Sequence, residues 1–266
     1  IVNVTNIVKS HLKKKPVVVV SAVTKMTDAL IRLAKECTDG KGKDTFDYIK
    51  NTHHEIISQL NLDQNILNDD IKELSILVDK TKMGGHVNAK ILDHFQSFGE
   101  RMSSKIVAEQ LKKSGMKAQA FNSWDLGFLT DSEFGDAEPL EVSYKNLSNN
   151  IKKLGIVPVI TGFIGKTENG EITTLGRGGS DYTAAIIGAA IGAGEIQIWT
   201  DVNGIMTTDP KIVANARRID RISFAEAAEL AYFGAKVLHP KTILPAMNRR
   251  IPVKVLNSFE PKQKGT

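Results

Sequence analysis

Pro16-Val17-Val18-Val19-Val20-Ser21-Ala22 reads as a short strand ending in small and hydroxyl side chains. Four consecutive β-branched residues leave neither face polar, so the strand is expected to be buried on both sides, in a parallel sheet. Parallel pairing needs helical crossovers, and helical patterns flank the run. Upstream, Val4, Ile7, Val8 and Leu12 follow helical spacing; downstream, Leu30, Leu33 and Ala34 form a stripe. Taken alone, Thr27 reads as the cap of that second helix. In a parallel α/β sheet, ligands gather where strands end at their carboxyl side, which places Ser21 through Asp28 at such an edge.

Working outward, residues 38–100 carry helical stripes and no strand: Ile56, Ile57 and Leu60, then Ile71, Leu74, Leu77 and Val78. They predict a helical excursion from the sheet. His53 and His54 are adjacent, would not share a helix face and have no third ligand nearby, so both read as surface residues. Ser97-Phe98-Gly99-Glu100-Arg101-Met102-Ser103-Ser104 is expected to open the next helix. Glu100 would then lie in its first turn, either complementing the helix dipole or standing as a rim carboxylate suited to an ammonium group. Strands are predicted over 117–121, 156–161, 195–200 and 252–256, with Trp124 in loop or core packing. Gly162-Phe163-Ile164-Gly165 is a glycine-rich turn after a strand. Ser223 and Glu226 match a capping box. Lys236 is expected in a loop past Gly234, and Pro240 in a first helical turn.

Thr173-Thr174-Leu175-Gly176-Arg177-Gly178-Gly179-Ser180-Asp181-Tyr182-Thr183 is the richest stretch for chemistry. Its glycines allow a tight turn and close approach to a ligand, and the small-residue run that follows reads as a helix with Ser180 near its N-cap. Such a turn presents free N–H groups to an anion, Arg177 adds a guanidinium fork, and Asp181 adds a carboxylate. Spacing alone leaves two readings open: an anion site, or a tight loop with a structural Arg–Asp pair.

Composition sets bounds. The chain has 266 residues, 41% hydrophobic and 24% charged, with a formal charge of +5. The lysines are dispersed and aromatics are 6%, so no basic-aromatic stripe points to nucleic acid; small anions suit the charge as well. The lone Cys37 excludes an intrachain disulfide and a thiolate cluster within one chain. No secretory signal or membrane span is evident, and a cytoplasmic protein is the expectation.

The ordered set Val18–Ala22, Ser97–Ser103, Val159–Gly165, Thr173–Tyr182, Trp199–Val202, Thr207-Thr208-Asp209-Pro210 and Phe233-Gly234-Ala235-Lys236-Val237-Leu238-His239-Pro240 resembles the aspartate kinases, within the amino-acid kinase superfamily. The likeness runs from Ile1 to Thr266. It implies a three-layer α/β/α sandwich around a mainly parallel central sheet, with residues 1–165 as an amino-acid lobe carrying the helical insertion near 38–100, and 166–266 as a nucleotide lobe. It implies transfer of the γ-phosphoryl group of ATP, with Mg²⁺, to the side-chain carboxylate of L-aspartate, the entry to lysine, threonine, methionine and isoleucine synthesis. By the same resemblance, Arg177 would clamp a substrate carboxylate and Glu100 its ammonium. Ser21, Thr27, Phe163 and Ser180 would line the aspartate pocket, and Asp181 would organise the reacting groups. Thr200, Asp201 and Lys236 would contact the nucleotide, with Met206 and Lys211 beside it where many relatives have Tyr and Arg. No residues are assigned as dedicated metal ligands.

Relatives open with a strand carrying Lys-Phe-Gly-Gly-Thr-Ser, which lies upstream of Ile1, so a gap or open sheet edge is expected. Their ACT regulatory domains would follow Thr266, and a homo-oligomer is expected of the full-length protein. The resemblance leaves two alternatives: a weakly active or inactive fragment that binds nucleotide or amino acid, and a sister kinase with another acceptor.

Overall fold

The computed structural model describes residues 1–208, 213, 215–232 and 240–266. In chain order its elements are α1 (Val2–Ser10), β1 (Val18–Val20), α2 (Met26–Thr38), α3 (Lys43–Gln59), α4 (Asn68–Gly84), α5 (Ala89–Lys113), β2 (Ala118–Phe121), α6 (Glu141–Ile151), β3 (Val157–Thr161), β4 (Ile164–Lys166), β5 (Ile172–Thr174), α7 (Gly179–Ile191), β6 (Ile196–Thr200), α8 (Phe224–Tyr232), α9 (Pro240–Asn248) and β7 (Val253–Asn257).

The valine run behaves as its composition demands. β1 pairs in parallel with β3, Val18 opposite Val159 and Val20 opposite Thr161, and β3 pairs in parallel with β2. Every residue of β3 is buried. Alternation divides the valines between two cores. Val18 and Val20 pack with Val8, Val107, Leu111 and Val159 beneath α1 and α5. Val17 and Val19 pack with Leu147, Ile160, Leu175 and Ile186 beneath α6 and α7. This is a helix–sheet–helix sandwich. Truncating Ile160, which is fully buried, would cost about 2–5 kcal/mol.

A second parallel sheet pairs β6 with β7, Ile198 opposite Val255, and β4–β5 form an antiparallel hairpin. The expectation of one central sheet is thus met by two parallel pieces, with β1 at one edge of the larger. α7 packs against strands of both. The edge of β7 is met by the end of the chain, where Thr266 exchanges backbone hydrogen bonds with Val255 (2.9 and 3.1 Å).

Residues 38–100 are helical, as their stripes require, and have their own core. Leu30, Leu33, Ile49, Ile57, Leu74, Phe95, Phe98 and Met102 from α2 to α5 are all fully buried there. Arg101 joins α5 to α4 through Glu73 and Asp70, and Lys105 bonds Asp70 at 2.5 Å. His53 corrects the sequence reading: it is fully buried rather than on the surface, because the helical lobe packs around α3. Its Nδ1–H donates to the Ile49 carbonyl (2.8 Å), while Nε2 has no partner. Burial pushes its pKa below the ordinary 6.5.

Three helix starts also differ from expectation. α2 is capped by Lys25 in the left-handed region (φ 67°), leaving Thr27 inside the first turn. α7 is capped by Gly178 (φ 72°), so Ser180 lies one residue inside the helix. α5 begins at Ala89, where the Asn88 side chain accepts the Ile91 N–H at 2.9 Å, so Glu100 is mid-helix and the dipole does not account for it. Ser223 and Glu226 do form the capping box: the Glu226 N–H donates to Ser223 Oγ (3.2 Å) and the Ser223 N–H to Glu226 Oε2 (2.8 Å). Among the described residues no helix is long and apolar enough to cross a membrane.

Candidate active site

The loop after β1, the turn between β3 and β4, the glycine loop before α7 and the middle of α5 converge on one cleft of about 260 Å³. Ser21, Thr27, Glu100, Phe163, Ser180 and Asp181 line it, together with the backbone of Gly176, Gly178 and Gly179. Six sequence-predicted residues from four separate segments therefore meet in space.

Glycines make the convergence possible. A Cβ on Gly99 would lie 2.7 Å from the Cβ of Ala22, so only glycine lets α5 press against the loop after β1. That approach carries Glu100 Oε1 within 3.0 Å of the Ala22 N–H, which donates to it. Gly162 plays the same part against Ser180, whose Cβ would stand 2.7 Å from an added methyl. Gly179 lies under Phe163, which holds an unusual left-handed conformation (φ 65°). That conformation costs on the order of 1 kcal/mol. It is held on both sides: the Phe163 N–H donates to Thr183 Oγ1 (3.0 Å), and its carbonyl accepts the Leu175 N–H (2.9 Å). Thr183 Oγ1 in turn donates to the Gly179 carbonyl at 2.8 Å.

Glu100 is the most perturbed group in the cleft. Its side chain is buried, its second oxygen has no partner among the described residues, and desolvation lifts its pKa to about 8 against the opposing backbone hydrogen bonds from Ala22 and from its own residue. Asp181, in the first turn of α7, is lifted to about 6 by desolvation. Two carboxylates pushed upward in one cleft mark it as a candidate functional site. Arg177 stands between Gly176 and Gly178, exposed and without an ion pair among the described residues. It is beside the cleft rather than part of its lining. No Arg177–Asp181 pair forms, so the structural-pair reading of this loop is set aside.

The nucleotide candidates fall elsewhere. Thr200 ends β6, its hydroxyl 3.1 Å from Asp201 Oδ1, with Asp201 exposed. Met206 forms a bridge with Arg218. None of the three lines the cleft. Lys211 and Lys236 lie outside the described residues. A wider hollow of about 430 Å³ at the opposite end of α7 is lined by Lys152, Arg249, Arg250 and alanine, glycine, isoleucine and proline residues, with no side-chain hydroxyl or carboxylate. α6, α7 and α9 all end near it, and cations suit their terminal carbonyls. The smaller cleft, with its converging acids and hydroxyls, is the candidate site.

Sequence reasoning passed over Thr183 and Asp93. Asp93 is buried on α5, where its carboxylate accepts the N–H groups of Gly135 and Thr174 and the Thr174 hydroxyl, each at 2.9 Å. Its helical spacing of seven from Glu100 was the available signal.

The chain belongs to the amino acid kinase family, whose sequence profile matches residues 1–257. It is 38% identical over 275 residues to aspartokinase 3, chloroplastic, of Arabidopsis thaliana, covering 100% of this chain and 49% of that protein. It is 41% identical to the lysine-sensitive aspartokinase 3 of Escherichia coli, covering 94% and 56%. Among solved structures, E. coli aspartokinase III in complex with aspartate and ADP superposes with a TM-score of 0.88 at 36% identity, covering 99% of this chain and 60% of that one. Clostridium acetobutylicum aspartate kinase gives 0.80 at 30%, covering 99% and 58%. The chain spans about half the length of the curated relatives it matches.

Proposed function

We propose that this chain is the phosphotransferase part of an aspartate kinase, acting on L-aspartate and ATP. The observation that carries the reading is Glu100: a buried carboxylate with one oxygen held by Ala22 and the other, among the described residues, unpartnered, in a cleft beside an arginine that likewise has no ion pair among them. An α-amino acid supplies the matching pair of charges, its ammonium for Glu100 and its α-carboxylate for Arg177. Ser21, Thr27, Ser180 and the Phe163 backbone then bound a space for a short side chain. The aspartate and ADP named for the E. coli structure support the same choice.

The side-chain carboxylate of aspartate is ionised at neutral pH and needs no general base. One of its oxygens attacks the γ-phosphorus in line; the bond from that phosphorus to the β,γ-bridging oxygen breaks, leaving ADP and an acyl phosphate. The protein's task is to hold two anions in register and offset their repulsion. The glycine loop offers N–H donors at the start of α7. Thr200 and Asp201, with Met206, Lys211 and Lys236, are assigned to the nucleotide from sequence, and residues 166–266 to its lobe. Mg²⁺ bound with ATP would offset phosphate charge. Such a metal is carried mainly by phosphate oxygens and water, with one or two protein carboxylates. Asp181, in the lining of the cleft, is the carboxylate that would serve.

The expected product is trapped by hydroxylamine as aspartyl hydroxamate. Aspartate-dependent ADP release with hydroxamate formation is the predicted result. Turnover with glutamate but not aspartate would reject the substrate, and tighter binding of N-acetylated amino acids than of free ones would reject the role of Glu100.

A further inference from the structure

Asp93 is buried, pairs with no cation among the described residues, and spends both oxygens on two segments distant in sequence. One segment, Gly135 to Ala137, runs against the other, Thr174 to Gly176. The Ala137 N–H donates to the Thr174 carbonyl (2.9 Å), and a Cβ on Gly176 would lie 2.6 Å from Asp136 Oδ1 and 3.1 Å from the Gly135 carbonyl. The second segment leads directly into Arg177. Asp93 and Glu100 are seven residues apart on α5, which puts them on one face, about 10 Å apart along the axis. One carboxylate of this helix faces the cleft; the other grips the root of the loop bearing the guanidinium.

We propose that Asp93 is a positioning residue: by anchoring Thr174 and Gly135 to α5, it sets the distance between Arg177 and Glu100, and so the fit of the site to the paired charges of an α-amino acid. Its pKa is raised, since burial outweighs the three hydrogen bonds it accepts. Such a group is expensive to keep as a carboxylate, and an anchoring duty accounts for it. The kinetic part of this inference rests on the aspartate-kinase reading; the anchoring part does not.

The test is Asp93→Asn, isosteric but placing an amide where N–H donors converge. We expect faster hydrogen exchange at Thr174–Gly178 in the unliganded protein. We also expect KM for aspartate to rise about tenfold with KM for ATP within twofold, and Arg177→Ala to cost far less in this background than in wild type. Thr174→Val, which removes one bond of three, should give a smaller change in the same direction, and Thr174→Ser should restore wild-type values. Unchanged loop exchange would overturn the anchor whatever the substrate. Aspartate and ATP KM values rising together, or additive effects with Arg177→Ala, would show a merely structural role. If wild type fails to turn over aspartate, the functional reading falls while the exchange data still decide the anchor.

Discussion

Replacing Glu100 with Gln should make the protein more stable and nearly unable to hold its amino acid. In the folded chain the carboxyl titrates at about 8 rather than 4.5, because the loss of water on burial outweighs the backbone hydrogen bonds from Ala22 and from its own residue. The sign follows from linkage: between 4.5 and 8 the native state keeps a proton that the unfolded state releases, so this group's stability contribution falls as pH rises through that window. At pH 7 the penalty runs from 4.5 up to 7, at about 1.4 kcal/mol per pH unit, or about 3 kcal/mol. Glutamine escapes it, and its carbonyl oxygen can still accept from Ala22. Urea unfolding should therefore show the variant more stable by up to about 3 kcal/mol at pH 7, with the advantage shrinking to near zero by pH 4. An ammonium ligand needs the carboxylate, so wild-type affinity should rise about tenfold from pH 6 to pH 7 and continue rising towards 8. Binding at pH 7 should release close to one proton, read by calorimetry in buffers of different ionisation enthalpy. The variant should lose both the proton release and about 10–100-fold in affinity. A variant less stable than wild type at pH 7, or wild-type affinity flat from pH 6 to 8, would refute the account of Glu100 as a desolvated ammonium receptor.

Arg177→Ala should weaken aspartate binding about 10–100-fold while leaving the unfolding midpoint almost unmoved, since the side chain is exposed and makes no ion pair among the described residues; a large stability loss would contradict this. Gly99→Ala forces a methyl to 2.7 Å from Ala22 Cβ, so stability should drop by about 1–3 kcal/mol and amino-acid binding should weaken with it; calorimetry and urea melts report both. Thr183→Val strips the Phe163 N–H of its acceptor and should cost about 1–3 kcal/mol, with a larger effect on KM for aspartate than a distant core change of equal cost. His53 is held neutral by burial, so its native pKa lies below 6.5. Its contribution is present above that value and lost as pH falls through it, and His53→Gln should flatten the decline in melting temperature between pH 6.5 and 5.

Much of the fold was legible because it depends on local order. Four valines in a row cannot leave a polar face, so β1 had to be sandwiched, and their division between two cores follows from the two-residue repeat. The ordered glycine motifs marked the cleft because close backbone approach leaves a residue-level trace. The start of α5 was misread for an instructive reason. Ser97 and Gly99 look like punctuation, yet Gly99 is small because α5 is pressed against Ala22 there, and the Ser97 hydroxyl is satisfied inside the helix by the His94 carbonyl at 2.7 Å. Thr27 and Ser180 read as caps because hydroxyls favour that place. The backbone instead placed the left-handed Lys25 and Gly178 there, freeing both hydroxyls to line the cleft.

Periodicity along the chain gave the parallel α/β architecture and the helical excursion, since both are properties of neighbours along the backbone, while the membership of the cleft came from the resemblance of the ordered motifs to a known family. Tertiary structure alone decided how much water each charged group keeps. His53 was enclosed, Asp93 was turned to the root of a loop, and Glu100 was left with one satisfied oxygen and one bare. Solvation depends on atoms supplied by distant segments, and it is solvation that sets Glu100 apart from an ordinary helical acid.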